Sequence, residues 1–514
     1  MKVKILVFFI AFGSLLYGQK MPVKYTFGEK YPDRYKYSNL LAEGEDGKGG
    51  SILVRHYFTG LILKPKGYFI EHYNENLELI AEYNYKLKEG EFIDAYVKNG
   101  QLYMLVLDYN WGTSSYDYVV HRSPIDTFNF TKETILSIES DYVEGALDKN
   151  YYNRNFTSGF TTTALFSEDK SAFIISTHFK KRKVDQHVIY VFNSNLNKIG
   201  EYDFSAEVEE KNYAFENIAV TKDLNSVYLI GKAYYKKKRF GALERKFQYE
   251  LIHLNSAGIT TQDFVDAGKF PEALYPILTD NKLMCVGFYS NRKDNRYNGL
   301  VYYQLNKGNL EVFSKKYSPF SQQFMDDKFG RDGGTDIKNL VFKNVHITQD
   351  NSIMFNAEEY FVTNSVQQDP SGTRIKIERF HYNDMVGAKL DEEGNVLWAR
   401  NINKSEVTQG DGAYASYTSY VKGNDTYFFI STAADNPQLV NNERLIFRQG
   451  LSRNRNIFLI RLDQDGKMDY EKIIDAQEAR LPLMVSKPLI CKEENNLLFY
   501  AKRGTRKQLV KVSF

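Results

Sequence analysis

The sequence predicts an all-β protein of about eight four-stranded antiparallel units, and three observations carry that prediction. First, 39 Tyr and 36 Phe stand among 514 residues, and side chains of this kind favour strands. Second, two short phrases each recur eight times. Third, the phrases keep phase at a period of roughly 64 residues. With 43% hydrophobic and 25% charged residues, the chain is neither disordered nor fibrous and can bury a large core.

The first phrase is a polar turn followed by a short apolar run. It reads DGKGGSILV at 46–54, NGQLYMLV at 99–106, DKSAFII at 169–175, DLNSVYLI at 223–230, DNKLMCV at 280–286, DNSIMF at 350–355, NDTYFFI at 424–430 and NNLLFY at 495–500. The second phrase is a strand ending in an apolar-Asx pair, a tight turn and another strand. It is clearest at 457–474 (IFLIRLDQDGKMDYEKII), 386–402 (VGAKLDEEGNVLWARNI) and 188–204 (VIYVFNSNLNKIGEYDF). It recurs at 251–265, 301–313 and 69–83, degenerates near 118–130, and is cut short at 508–514. Each unit is therefore a meander of four strands joined by hairpins, and such units arranged radially make a β-propeller. The last copy stops at its third strand, so the segment 23–27 is expected to supply the fourth and close the ring. The alternative is seven blades, if the first unit, whose inner strand is hard to see near 37–42, is an extension.

The phrases LDEEGNVLW at 390–398 and RLDQDGKM at 461–468 resemble the repeat of exported β-propeller proteins common in Bacteroidota. The resemblance implies the fold and carries no activity, because propellers host many unrelated functions.

The N-terminus predicts export. Met1-Lys2-Val3-Lys4 is a basic start, and the mostly apolar stretch 5–17 is shorter than the roughly 20 residues of a membrane span. A signal peptide over 1–19, cleaved near Gly18, leaves a single propeller domain over 20–514. No cysteine follows the apolar stretch, so no lipid anchor of the lipobox kind is expected, and no later run of 18 apolar residues exists. The destination is the periplasm, the outer membrane or the exterior. Cys285 and Cys491 fall three blades apart, too far for a bridge that needs Cα atoms within about 7 Å, so two buried, reduced thiols are expected.

Familiar catalytic signatures do not emerge. The eight histidines show no HExxH spacing, although His178 and His187 flank one connection and are candidates to converge. No GxSxG elbow is present. Asp463, Asp465 and Gly466 imitate the start of a calcium loop without its closing Glu, and turn chemistry accounts for them and for Asp391 with Gly394. The stretch 44–51 (GEDGKGGS) lacks phosphate-loop spacing. Two tryptophans, Trp111 and Trp398, are too few for a quinoprotein propeller. Carboxylates Asp326, Asp327, Asp332 and Asp336 share the long connection 314–338, where an acid–base pair would need a measured separation. No cofactor or metal is expected.

One local charge signal stands out from a net charge of only +3. In a propeller the turns between second and third strands emerge on one rim. Taken as 58–67, 109–116, 178–187, 234–248, 289–299, 361–384, 434–455 and 501–507, they hold 26 of the 67 Lys and Arg but 8 of the 64 Asp and Glu. The expected binding residues are Lys180, Lys181, Arg182, Lys183, Tyr235, Lys236, Lys237, Lys238, Arg239, Arg292, Lys293, Arg296, Lys502 and Arg503. Phe179, Tyr234, Phe240, Tyr289 and Tyr297 lie among them. A cationic rim with aromatic faces suits an acidic protein surface, an anionic polysaccharide or an outer-membrane complex, through charge and stacking. Nucleic acid is a poor partner for an exported chain. The expectation is a non-enzymatic binding or scaffold propeller of the envelope. Its rivals are a carbohydrate-active hydrolase or lyase with carboxylates near the channel, and a soluble subunit of an outer-membrane secretion or uptake complex.

Overall fold

The computed structural model describes residues 21–514 apart from 62, 88–89, 140–158, 182–183, 236–246, 267, 292–295, 335, 369–371, 373, 411, 434, 441–442 and 451–454. The predicted signal segment lies outside the described residues. Eight antiparallel sheets follow one another along the chain, each with a four-strand meander or its equivalent. The first blade is Tyr37–Glu45, Ser51–Thr59, Lys64–Tyr73 and Leu79–Tyr85, so its inner strand is real and the count is eight, not seven. In the last blade, Leu483–Cys491, Asn496–Arg503 and Arg506–Ser513 are joined by Lys24–Phe27, which pairs Lys24 with Ser513 and Phe27 with Val510. The N-terminal strand thus closes the ring as the sequence predicts.

The core is a set of interfaces between blades. Ile52, Val54 and Ile70 of the first blade meet Ala95, Leu102 and Met104 of the second, and Ile174 and Ile189 of the third meet Leu229 and Ile252 of the fourth. Middle strands are covered on both faces, which is why the first phrase is apolar without alternation; all eight residues of Leu283–Ser290 are buried. The inner strands of five blades carry a bulge, between Leu40 and Ala42, Phe92 and Asp94, Phe215 and Asn217, Pro271 and Ala273, and Phe342 and Asn344. A bulge strengthens local twist and re-aims a side chain.

The turn chemistry is also as expected. Asp391 Oδ1 accepts from the backbone N–H of Glu393 and Asn395, and Asp463 Oδ1 from those of Asp465 and Lys467. Gly394 (φ 80°) sits where a Cβ would lie 2.2 Å from the Tyr302 ring of the preceding blade. The turn of one blade seats on an aromatic of its neighbour, which only glycine permits.

Three expected connections are more structured than the sequence suggests. The connection 361–384 is mostly sheet, because the strands Ile353–Gln368 and Arg374–Leu390 extend together into a long hairpin. Within 314–338 a helix, Gln322–Phe329, is capped by Ser321 and buries Phe324. Within 434–455, Leu445–Arg448 runs parallel to the sixth blade's outer strand. Both cysteines are buried and free, Cys285 in the fifth blade and Cys491 in the eighth.

Candidate anion-binding rim

Ring closure positions the site. Beneath the second-to-third-strand turn of the eighth blade lies a buried ion network joining three distant parts of the chain. Arg55 donates from Nη1 and Nη2 to the Asp33 carboxylate at 2.9 and 3.1 Å, and from Nη2 to Glu71 Oε1 at 2.5 Å. Lys507 Nζ is 2.6 Å from Glu71 Oε1 and also bonds Glu82, while Lys502 bonds Asp33 and, at 2.8 Å, the Tyr35 carbonyl. Three cations face three carboxylates. Burial alone would raise the Asp33 carboxyl, yet the Arg55 charge and the bonds from Arg55 and Lys502 hold it below its ordinary value.

Lys502 is therefore not a rim cation: it is buried and bonded inward. The reason is register. The Gly504-Thr505 turn pairs Lys502 with Lys507 and Arg503 with Arg506, so the first pair shares the inner face and the second the outer. Arg503 and Arg506 are exposed, and there they meet two cations that the predicted connections do not contain. Lys30 arrives in the return from the closing strand to the first blade, and Arg480 in the connection from the seventh blade to the eighth. With Leu481, Gly504 and Thr505 these four line a pocket of about 450 Å³. None of the four forms an ion pair among the described residues. The Lys30 ammonium is pulled below its ordinary value by burial and then by Arg480 and Arg506, the mark of a like-charge cluster. Arg480 is held there at φ 57°, where its N–H caps the short helix Ala476–Ala479.

The other expected residues are distributed as follows. Lys180 is half exposed, with Nζ 3.7 Å from Asp185 Oδ2. Arg296 Nη1 is 3.1 Å from Asp336 Oδ1, and the Tyr235 hydroxyl bonds Gln248. Lys181 ends a strand, and nothing is described of its side chain. Arg182, Lys183, Lys236, Lys237, Lys238, Arg239, Arg292 and Lys293 lie outside the described residues. The expected aromatic faces are mostly core: Phe179, Tyr289 and Tyr297 are buried and Tyr234 is exposed, while Phe240 lies outside the described residues. Exposed cation–aromatic pairs come instead from the return segment, where Lys36 Nζ sits 5.0 Å from the Tyr37 ring centre and Arg34 lies 5.9 Å from that of Tyr35.

Among the described residues, no three His, Cys, Asp or Glu side chains converge to hold a metal. His178 and His187 do converge, with stacked rings 4.9 Å apart. His178 bonds Asp185, however, and burial pushes His187 down to about 3, a neutral ring bonded to Ser176. Of the carboxylates of 314–338, Asp327 is engaged by Arg400, Asp336 by Arg296 and Lys338, and Asp326 accepts from Gln322. Inner strands place Glu43, Asp94 and Lys487 about the axis. Lys170 bonds Asp94 at 2.9 Å, and burial raises the Glu43 carboxyl against the pull of Lys487 and Lys170. Glu168 and Lys492, in turns of the third and eighth blades, approach to 3.3 Å. Between the sixth and seventh blades, Lys404 bridges Glu358 and Glu406 at 2.9 and 2.8 Å. No helix among the described residues is long and apolar enough to cross a membrane.

No protein-family model matches the chain, and no curated protein matches it. Solved structures similar to it include a β-propeller domain. The β-propeller domain of the Trilobed protease from Pyrococcus furiosus is 11% identical, with 86% of this chain and 98% of that one covered and a TM-score of 0.36. The polysaccharide lyase Uly1 is 8% identical over 95% of this chain and 99% of that one, with a TM-score of 0.37. Drosophila Semaphorin 1b, extracellular domains 1–2, is 8% identical over 95% and 87%, with a TM-score of 0.33. The likeness is one of fold and carries no activity over to this chain.

Proposed function

We propose that this chain is an exported binding propeller of the cell envelope, of the kind Bacteroidota export, which holds an anionic partner on the rim of its second-to-third-strand turns. The observation that carries this reading is the convergence of Lys30, Arg480, Arg503 and Arg506 without a carboxylate partner among the described residues. Cations that serve the fold are matched, as Lys502 and Lys507 are directly beneath. Exposed, unmatched cations are available to an outside anion. The test is copurification from envelope fractions, comparing the parent with a variant carrying Lys30→Glu, Arg480→Glu, Arg503→Glu and Arg506→Glu. Anionic material retained by the parent and lost by the variant supports the reading; equal retention by both rejects it.

One observation favours a second reading, a carbohydrate-active hydrolase or lyase. The Glu43 carboxyl, on an inner strand, is raised by burial, and a carboxyl raised in this way is what a general acid requires. Cleavage of an anionic polysaccharide that is abolished by Glu43→Gln would establish it.

A further inference from the structure

Resting on the rim reading, we propose that the pocket of Lys30, Arg480, Arg503 and Arg506 binds a phosphate or sulfate monoester group carried on a larger molecule.

Charge is the first argument. Three guanidinium groups and one ammonium converge from chain segments at 30, 480 and 503–506, brought together only by ring closure. The fold places carboxylates on the inner face of the same hairpin, against Lys502 and Lys507, and none among the described residues against its outer face. A cluster of like charges is relieved by a ligand that returns negative charge to it, a sulfate monoester returning one charge, as a carboxylate does, and a phosphate monoester about −1.5 to −2. Geometry is the second argument. The planar fork of arginine presents parallel N–H donors to tetrahedral and carboxylate oxyanions alike. Three such forks with one ammonium and the neighbouring Thr505 hydroxyl offer more donors than a carboxylate with two oxygens accepts, while an ester with three terminal oxygens uses them. Size is the third. About 450 Å³ lies in the range of small-molecule sites, roughly 300–1,000 Å³, and is far larger than one oxyanion. Leu481, buried at the pocket wall, gives apolar contact to whatever carries the ester.

The experiment measures direct binding to the purified full-length protein at low ionic strength. The probes are a sulfated disaccharide, its unsulfated uronate-containing counterpart, glucose 6-phosphate, and phosphatidylcholine vesicles with and without phosphatidic acid. Sulfated or phosphorylated probes are expected to bind at least about tenfold more tightly than the uronate, a difference near 1.4 kcal/mol. Arg480→Ala and Arg506→Ala are each expected to weaken them by about tenfold or more at an unchanged melting temperature, while Lys222→Ala, an exposed lysine in a first-to-second-strand turn, leaves binding as it is. Vesicle binding that depends on phosphatidic acid identifies a lipid source, and saccharide binding alone identifies a glycan. Equal affinity for the uronate overturns the ester assignment, as does unchanged binding in both arginine variants. So does the absence of ester binding at about 10 mM, far above ordinary dissociation constants. If the ester probes fail while envelope material is still retained by the parent and lost by the four-site rim variant, only the ester assignment has failed. If it is retained equally by both, the rim reading has failed with it.

Discussion

Replacing Arg55 with methionine tests the ion network that locks the ring. The guanidinium is fully buried and donates to Asp33, Glu71 and the Ser38 hydroxyl. Methionine keeps most of the aliphatic stem and removes the guanidinium together with its contacts over the Phe69 and Tyr500 rings. Without Arg55, the buried carboxylates of Asp33 and Glu71 and the 38% exposed Glu82 face only Lys502 and Lys507, leaving the network with one negative charge in excess. Breaking a buried pair from one side costs about 3–5 kcal/mol, a third or more of the roughly 5–15 kcal/mol that holds an ordinary domain together. Urea unfolding followed by tyrosine and tryptophan fluorescence should show the midpoint fall with an unchanged slope. Adding Asp33→Asn removes the orphaned charge, so the double variant should be less destabilised than the sum of the two single ones. A loss under about 1 kcal/mol for Arg55→Met, or strict additivity in the cycle, would refute a coupled buried clasp.

Further expectations follow from closure, turns and titration. Deleting 20–30 removes the closing strand, Lys30 and part of the cluster formed by Val23, Tyr25 and Phe27 with Val510 and Val512. Unfolding should then lose stability as one cooperative transition, whereas a deletion protein that melts like the parent and stays monomeric would make the segment a tail. Gly394→Ala meets both a left-handed backbone and the Tyr302 ring, and Gly423→Ala meets a left-handed backbone (φ 62°) in open space. The first should cost about 2–5 kcal/mol and the second about 1–2 kcal/mol, and equal costs in chemical denaturation would reject the inter-blade contact. Burial pushes His121 down to about 4 and His187 to about 3, below the unfolded value near 6.5. The unfolded chain then binds more protons as pH falls through 6.5, so stability is present above that pH and declines toward pH 4, by about 1.4 kcal/mol per pH unit for each histidine. His121→Gln with His187→Gln should flatten the slope between pH 6.5 and 4.5, and an unchanged slope would show that neither ring is held neutral.

The architecture was legible because a propeller repeats one local solution. An Asx turn followed by a doubly covered strand recurs with the blade, and ring closure could be inferred from a last unit ending one strand short. Departures from the repeat were not legible. The long hairpin of the sixth blade and the helix at Gln322–Phe329 replace ordinary connections, and their strand and helix residues look like polar loop residues in sequence. The inner-strand bulges left no signature, since the residues they insert, Leu41, Ile93, Glu216, Glu272 and Lys343, share no chemistry.

The rim shows the same limit at finer grain. In Lys502-Arg503-Gly504-Thr505-Arg506-Lys507 every cation has equal standing on composition. Strand alternation about a two-residue turn would have separated Lys502 and Lys507 from Arg503 and Arg506. What no local reading supplies is the partner of each face. Asp33 and Glu71 lie more than 400 residues away in sequence, as does Lys30, and Arg480 belongs to the other class of connection on the same rim. Burial of Phe179, Tyr289 and Tyr297 follows from packing between blades, which composition cannot distinguish from surface display.

The central claim is that an anionic partner is held by the charge of this rim. Its most direct test is equilibrium binding of the parent and the Lys30→Glu, Arg480→Glu, Arg503→Glu, Arg506→Glu variant to a sulfated polysaccharide as salt is raised, with melting temperatures measured alongside. Exposed charges interact over a Debye length of about 10 Å at 0.1 M and about 3 Å at 1 M salt. The account predicts parent binding that weakens steeply with salt, a variant that binds more weakly at low salt and meets the parent at high salt, and equal melting. Binding that is the same in both proteins and indifferent to salt would contradict it.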